Sequence, residues 1–264
     1  QPYVVSGEVE PPANPLVVPQ LCMRFNDVDS VGISGRHNTS FVMIGQHAFY
    51  PPEQFSQQHY FEDIYDWLTK GVKIPKPDLV FHEDQWGGGG NLGVSMEFFS
   101  RGLELGNQVY MSYSVDEQGY HPLKTKVLDM GMSQSRYAWL SQGKGTSYDV
   151  EFPTVCKMLY KTFGLKQDEL FLRFMPYAGI LNVDETDVEK AWKMIALKLG
   201  EDVTSLKEHI LSLAAMYSIA DHSRTFLIGV NDGALPSNVG SGYDLRLVLR
   251  RSLDFIHKYG WNID

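Results

Sequence analysis

A change of hydrophobic period near residue 150 sets the fold class of this chain. Before it, short stretches rich in β-branched and aromatic residues alternate with polar ones and are broken by Gly, Pro and Asn, which is typical of antiparallel strands. After it, apolar residues recur at helical intervals over longer segments. The sequence therefore predicts an α+β fold, with an antiparallel β-sheet flanked by helices and followed by a helical region.

Four segments in the first part show the alternation expected of strands. They read LVVPQLCMRF, TSFVMI, GVSMEFF and NQVYMSYSV. Between them, the segment from Tyr60 to Lys70 places apolar residues at helical spacing and predicts a helix that covers the sheet.

Helix boundaries in the second part are predicted from capping residues. Thr186 with Glu189, and Ser205 with Glu208, have the spacing of capping boxes, which mark helix starts. Gly200 lies between the two segments and predicts the end of the first of these helices, because glycine favours the left-handed conformation found there.

Composition excludes several classes of protein. With 264 residues, 43% hydrophobic and 21% charged, the chain reads as a soluble globular protein. No apolar run is long enough to cross a bilayer, and the first residues lack the pattern of a signal peptide, so we expect a cytoplasmic location. Cys22 and Cys156 lie outside any CxxC or Cys/His cluster, so neither a disulfide framework nor a zinc site is expected. The net charge of −9 argues against nonspecific nucleic-acid wrapping but allows a local basic face.

The first segment that could carry chemistry runs from Leu21 to Phe49 and reads strand, polar loop, strand. It bears Arg24, Arg36 and His37, and fixed guanidinium groups bind phosphate oxygens through charge-assisted bonds. Phe41 on the return strand could stack on a base. The alternative is an ordinary hairpin with surface arginines and a core phenylalanine.

A run of four glycines marks the second segment, QWGGGGNLG from Gln85 to Gly93. Glycine lets a backbone approach a ligand closely and adopt positive φ, but the spacing matches neither the Walker nor the Rossmann pattern. Trp86, directly before the run, suggests a pocket wall. A flexible loop is the alternative.

The third segment, from Leu128 to Leu140, carries an acidic residue and a glycine before an apparent helix. Asp129 could hold a substrate ammonium group, and Arg136 could meet a terminal phosphate. A helix N-cap at Asp129 and a surface role for Arg136 are the alternatives.

The fourth segment, from Ala220 to Arg251, contains Asp-Gly and Pro-Ser-Asn and predicts a turn between two helices. Asn238 in this turn has the paired donor and acceptor suited to base edges, although turn asparagines are usually structural. Arg246 and Arg250 follow at helical spacing and form either a basic binding face or a solvated helix face.

These segments occur in the order and spacing of one family. The stretches GEVEPPANPLVVPQLCMRFNDVDSVGISGRHNTSF and ADHSRTFLIGVNDGALPSNVGSGY resemble, respectively, the end of motif 1 with motif 2, and the tRNA-recognition region, of archaeal-type alanyl-tRNA synthetases. The resemblance to this class II group extends over essentially the whole chain. It implies ATP-dependent activation of alanine to alanyl-adenylate and transfer of the alanyl group to tRNA(Ala).

The resemblance also assigns the nucleotide contacts. Arg24 would lie on the α-phosphate and stabilise the charge that develops there. Arg36 and His37 would contact the outer phosphates, and Phe41 would stack on adenine. Arg136 matches the motif 3 arginine, a second clamp on the nucleotide. Magnesium is expected with ATP, with ligands that the sequence does not assign.

For the amino acid, the resemblance implies an ammonium contact for Asp129 and a tight wall at Gly131. Trp86 and Asn107 stand where the family lines its alanine pocket. The sequence does not fix the preference among alanine, glycine and serine, because one methyl or hydroxyl group is worth only about 1–3 kcal/mol.

For tRNA, Asn238 matches a residue associated with the wobble pair of the acceptor stem, and Arg246 and Arg250 would supply basic contacts nearby. The resemblance divides the chain into a catalytic domain over residues 1–170 and a helical acceptor-stem recognition region over residues 171–264. A homodimer is a further possibility that the resemblance allows.

Two departures from the family pattern leave an alternative open. Ser135 and Val42 stand where glutamates are usual in motifs 3 and 2, and Glu97 or Glu104 could serve the metal in their place. The matched stretch also has no editing domain, as expected of a truncated form or a paralogue. The alternative function is a paralogue with an altered substrate or a non-catalytic nucleotide- or RNA-binding role.

Overall fold

The structure, a computed structural model, describes residues 2–181 and 187–263. Within these residues, six strands form one sheet in the order β1-β2-β6-β5-β4-β3. The four neighbouring pairs from β2 to β3 are antiparallel, and the predicted fold class is confirmed. The strands are β1 (Leu16–Met23), β2 (Ser40–Tyr50), β3 (Leu79–Gly88), β4 (Asn91–Ser100), β5 (Leu103–Asp116) and β6 (Gly119–Ser133).

Two α-helices lie before or between the strands along the chain, and the helices that follow the last strand make up most of its second half. In the described residues they are α1 (Pro2–Val5), α2 (Gln57–Asp66), α3 (Gln134–Gln142), α4 (Tyr148–Glu151), α5 (Pro153–Phe163), α6 (Glu169–Phe174), α7 (Val188–Leu199), α8 (Val203–Asn231) and α9 (Gly240–Tyr259). None of these helices is both long and apolar enough to cross a membrane.

Two compact units divide the chain. The first comprises Gln1–Gln20 and Val42–Arg136, and the second comprises Leu21–Phe41 and Tyr137–Asp264, within the described residues. The second unit therefore takes most of the predicted phosphate-binding segment together with the helical half of the chain.

In the first unit, side chains alternate between the two faces of the sheet. Gln108 and Tyr110 of β5 are buried on the face that meets α2, where Gln108 Nε2 donates to the Tyr60 carbonyl at 3.0 Å. The helix predicted over Tyr60–Lys70 is thus confirmed, and it continues into a π-helical turn at Trp67–Gly71. Asn107 and Val109 point to the opposite face of the sheet.

The glycine run is a tight hairpin. Gly87 pairs with Leu92 and Gly88 with Asn91, so Gly89 and Gly90 alone connect β3 to β4. Both have positive φ, 57° and 77°, which a two-residue hairpin turn of type I′ requires and which glycine adopts without steric cost. The flexible-loop alternative is wrong for this segment.

The second unit has its own apolar core, built from helices α4 to α8. Its largest fully buried side chains include Tyr148, Tyr217, Phe171 and Phe174. The stacked rings of Tyr148 and Tyr217, 5.1 Å apart, join α4 to α8 in this core.

Two of the predicted helix boundaries can be compared with the structure. Gly200 ends α7 in the left-handed conformation, with φ 72°, as predicted. The capping box at Ser205 is wrong, because Asp202 caps α8 three residues earlier and accepts from the Thr204 and Ser205 N–H groups. Thr186, the other predicted cap, lies outside the described residues.

Candidate amino-acid and nucleotide sites

A cleft of about 190 Å³ opens on the first unit, on the sheet face away from α2. Strands β1, β2, β3, β5 and β6 all contribute to it. Its lining consists of Val18, Gln20, Met43, Gly45, His47, Trp86, Asn107, Val109, Asp129, Met130 and Gly131.

Two glycines on neighbouring strands form the floor of the cleft. Gly45 of β2 is paired with Gly131 of β6, and Gly131 is paired with Asn107 of β5. Because neither glycine carries a side chain, the space above the sheet stays open. A Cβ atom at Gly131 would lie 3.0 Å from Met43 Sδ, so the wall opposite this glycine is close.

One carboxylate stands at the side of this floor. Asp129 Oδ1 lies 3.1 Å from Nδ1 of His47, its register partner on β2. Asp129 and His47 are the titratable residues among those that line the cleft. A carboxylate beside a small, partly apolar cavity can hold an ammonium group.

The structure brings four predicted residues together in this cleft: Asp129, Gly131, Asn107 and Trp86. Asp129 lies within strand β6, ahead of the first residue of α3 at Gln134, so the N-cap alternative is wrong.

Sequence reasoning did not single out His47 or Met43 as site residues. Both lie on β2, each two residues from Gly45. Side chains two residues apart on a strand point to the same face, so Met43, Gly45 and His47 share one face of the sheet. Strand alternation could have grouped them with Gly45. Only the pairing of β2 with β6, about 80 residues apart in sequence, shows that this face meets Asp129.

Arg136, the predicted motif 3 arginine, also belongs to the first unit. Its Nη1 donates to the carbonyl and to Oε2 of Glu104, both at 2.9 Å. The side chain is about 20% exposed, so the guanidinium group is oriented by this pairing while part of it still faces solvent.

The other predicted nucleotide contacts belong to the second unit. The Arg24 side chain is largely exposed and pairs with Asp27 at 3.0 Å. Its backbone N–H donates to the Thr39 carbonyl at 3.0 Å, so the two ends of the intervening loop are joined. Phe41 is half-buried on β2.

The loop between Arg24 and Thr39 is fixed by the helical core. The Tyr148 hydroxyl accepts from the Gly32 N–H and donates to the His37 carbonyl, each at 2.7 Å. Burial raises the pKa of Tyr148 far above its ordinary value, so the hydroxyl keeps the proton that it donates. The loop is therefore held by the helices rather than left free in solvent.

Arg36 and His37 are oriented within this loop. Ser34 Oγ accepts from the Arg36 N–H at 3.1 Å and lies 2.9 Å from His37 Nδ1. The guanidinium group of Arg36 packs on the backbone of Gly179, where a Cβ atom would lie 2.5 Å from Nη2. Both side chains thus have defined positions.

Of the predicted tRNA contacts, Asn238 precedes α9, and Arg246 and Arg250 lie within that helix. Arg246 Nη1 donates to Asn238 Oδ1 in the exposed turn. A groove of about 310 Å³ runs along the helix beside it, lined by Tyr243, Arg246, Leu247, Arg250, Arg251 and Asp254. Three of these six residues are arginines, which makes the groove a basic surface.

The described residues contain no cluster of three or more His, Cys, Asp and Glu that could hold a metal ion. Of the two glutamates considered for this role, Glu104 is paired with Arg136 and Glu97 lies 3.1 Å from His82. Neither glutamate thus stands beside further carboxylates in a metal-binding group within the part of the chain that the structure describes.

The antiparallel sheet is the architecture that the sequence resemblance implies. A family model described as tRNA synthetases class II (A) matches residues 1–264. The chain belongs to this family.

Curated relatives narrow the resemblance to one kind of ligase. The chain is 51% identical to an alanine–tRNA ligase of Methanocella arvoryzae over 269 aligned residues, which cover all of this chain and 31% of the relative. An alanine–tRNA ligase of Nitrosopumilus maritimus is 41% identical over 91% of the chain and 27% of its own length. The chain thus spans about 30% of the length of these relatives.

Among solved structures, a pyrrolysyl-tRNA synthetase from Desulfitobacterium hafniense matches 57% of this chain and 50% of its own. The sequence identity is 13% and the TM-score is 0.36.

Proposed function

We propose that this chain is the activating core of an alanine–tRNA ligase, which joins alanine to ATP as alanyl-adenylate and passes the alanyl group to tRNA(Ala). The observation that carries the proposal is the glycine-floored cleft, with the Asp129 carboxylate beside Gly131. Membership of the class II family and the likeness to alanine–tRNA ligases support it.

In the proposed complex, the cleft holds the amino acid. Asp129 binds the ammonium group, and Asn107 supplies an amide on the paired strand. The methyl group of alanine lies over Gly131, where the nearby Met43 limits the size of the side chain. Trp86 closes the outer wall.

The chemical step needs no nucleophilic side chain. The alanine carboxylate attacks the α-phosphorus of ATP, an oxygen–phosphorus bond forms, and the bond to pyrophosphate breaks. Catalysis of such a displacement comes from positioning and from neutralisation of charge. Arg24 stabilises the charge at the α-phosphate, while Arg36 and His37 contact the outer phosphates and Arg136 forms the second clamp.

Several further parts belong to the proposal. Phe41 stacks on adenine, and magnesium accompanies ATP and neutralises phosphate charge. For tRNA, Asn238, Arg246 and Arg250 contact the acceptor stem, since arginines bind phosphates and an asparagine amide can read base edges. The location of the protein is cytoplasmic. The division into residues 1–170 and 171–264 is retained as a prediction.

The alternative of a non-catalytic paralogue rests on Val42 and Ser135. Ser135 is buried at the start of α3, and Val42 lies on β2. Identity of 51% to an alanine–tRNA ligase across the chain supports the catalytic proposal over this alternative.

Binding of a stable analogue of the intermediate tests the proposal. Alanyl-sulfamoyl-adenosine carries both the ammonium group and the adenosine, so we expect calorimetry to show tight binding to the purified chain. Asp129→Asn and Arg24→Ala should each weaken this binding at least tenfold, because each removes one charged contact. An unchanged affinity in both variants would contradict the assignment of both ends of the ligand.

A further inference from the structure

We propose that His47 is a positioning residue, which orients the Asp129 carboxylate towards the ammonium group of the substrate amino acid. The inference rests on the proposed function, because it assumes that the cleft binds an amino acid. It adds a residue to the site that neither the sequence motifs nor the family resemblance assigned.

The sheet places the two side chains next to each other. His47 on β2 and Asp129 on β6 are register partners, so their side chains leave the same face at neighbouring positions. Nδ1 of His47 lies 3.1 Å from Oδ1 of Asp129. Both side chains are partly shielded, with 20% and 27% of their surfaces exposed, so solvent screens the contact only in part.

The contact is close, but its geometry falls short of a well-aligned hydrogen bond. His47 Nδ1 is buried, and within the described residues it makes no hydrogen bond of good geometry, although the Asp129 oxygen is within reach. A buried polar atom without a well-aligned partner is rare and calls for an explanation. The Asp129 oxygen 3.1 Å away is a charged acceptor, so pairing with this carboxylate is the role that we assign to the atom.

Gly45 makes the position of the imidazole ring feasible. A Cβ atom at residue 45 would lie 2.6 Å from Nε2 of His47, so the ring folds over this glycine. The same absence of a side chain that forms the cleft floor thus also leaves room for the ring beside Asp129.

The chemistry of the pair suits ammonium binding. A carboxylate has about four lone-pair sites, so a donor at Oδ1 leaves acceptor capacity for an ammonium group. Fixing the carboxylate plane before the ligand arrives lowers the entropy lost on binding. His47 acts through Asp129 and touches no reacting atom.

The test compares two replacements of His47 by kinetics of alanine-dependent pyrophosphate exchange. His47→Phe keeps a ring over Gly45 and removes the donor, so we expect the KM for alanine to rise about tenfold, with kcat and the KM for ATP within about twofold. In His47→Asn, the amide nitrogen falls close to the place of Nδ1, and the KM for alanine should stay within about threefold of the original chain.

A matched control comes from an exposed His–Asp pair on the β5–β6 hairpin. His121 Nε2 lies 3.0 Å from Asp116 Oδ1, with both side chains about half exposed. His121→Phe should leave the KM for alanine unchanged. The thermal unfolding midpoint of each variant shows whether the fold is intact.

A double variant keeps the inference falsifiable if His47→Phe also affects stability. When Asp129→Asn is already present, calorimetry should show that His47→Phe changes the affinity for alanyl-sulfamoyl-adenosine by less than about twofold, because His47 acts through the carboxylate. An equal loss in both backgrounds, or an unchanged KM for alanine in His47→Phe, would overturn the role of His47 while the proposed function stands. If the original chain neither binds nor activates alanine, both fall.

Discussion

Gly131 carries more of the proposed specificity than any charged residue does. Its paired neighbour Gly45 opens the cleft, and Met43 lies 3.0 Å from where a Cβ atom at Gly131 would be. Charge contacts to the ammonium group are common to all α-amino acids, so discrimination by size has to come from this floor and wall.

Gly131→Ala should therefore reduce activation of alanine more than that of glycine. The added methyl group occupies the space proposed for the substrate methyl group, and we expect kcat/KM for alanine to fall by about tenfold to a hundredfold, the range of one methyl group in a tight pocket. Pyrophosphate exchange with each amino acid measures the ratio. An equal loss for both amino acids would instead indicate a distorted sheet.

For individual residues, the sequence indicated four of the side chains that line the cleft but not the histidine that contacts one of them. Asp129, Gly131, Trp86 and Asn107 were found through motif resemblance, and the structure places them together. His47 was missed, because its proximity to Asp129 depends on the register of β2 with β6, which one sequence does not encode in any local pattern.

Among the elements, α8 has the largest part in holding the predicted phosphate-binding loop. Asp221 is fully buried and accepts from the Thr39 N–H at 3.1 Å and from the Thr39 hydroxyl at 2.5 Å. Its neighbour His222 lies 3.1 Å from the same carboxylate and 3.4 Å from Arg251 of α9. The buried Asp221 carboxylate thus joins the end of the loop at Thr39 to α8, and His222 extends the contact to α9.

Asp221→Ala should destabilise the chain substantially. It leaves the buried Thr39 N–H without its acceptor, and we expect the free energy of unfolding to fall by about 3 kcal/mol, given the cost of unsatisfied buried groups and broken buried charge contacts. Urea denaturation measures the change. Asp232→Ala, in the exposed cap of the same helix, is the control and should cost less than about 0.5 kcal/mol. Similar effects of the two variants would contradict this account.

The cap of α6 gives a pH-dependent contribution to stability. Burial alone would raise the pKa of Asp168, but hydrogen bonds from the Phe171 N–H and from His209 outweigh it and lower the pKa below its ordinary value. The stabilisation is therefore present above the pKa of the unfolded chain and is lost as pH falls through the lower folded value.

Asp168→Ala should accordingly be less stable at pH 7 by about 1 kcal/mol, the usual cost of losing a helix cap. The difference from the original chain should shrink as pH falls below about 3.8. Urea unfolding at pH 7 and at pH 3 makes the comparison. A difference that stays constant over this range would show that the carboxylate charge has no part in the cap.

Elements with a clear hydrophobic period were predicted correctly. The prediction that failed relied on a short local motif that fits more than one structure. The strand segments and the helix from Tyr60 were found because their periods are unambiguous. For the glycine run, the sequence allowed either a flexible loop or a close approach to a ligand. In the structure, Gly89 and Gly90 form a hairpin turn. Ser205 has the spacing of a cap, but α8 begins about one turn earlier, where Asp202 accepts from the Thr204 and Ser205 N–H groups.

For the whole molecule, the change of hydrophobic period predicted the α+β class correctly. It did not predict that residues 21–41 would join the helical unit. That assignment depends on contacts between residues more than a hundred positions apart in sequence, such as Tyr148 with Gly32 and Asp221 with Thr39. Such contacts are set by tertiary packing, which local propensity does not reveal.

We propose that the chain activates alanine and that Asp129 and Arg24 are each required for this reaction. Amino-acid-dependent exchange of pyrophosphate into ATP by the purified chain measures this directly. We predict exchange with alanine that exceeds exchange with serine and glycine, and its loss in both Asp129→Asn and Arg24→Ala. A folded chain that binds ATP but gives no exchange with any of the three amino acids would contradict the claim.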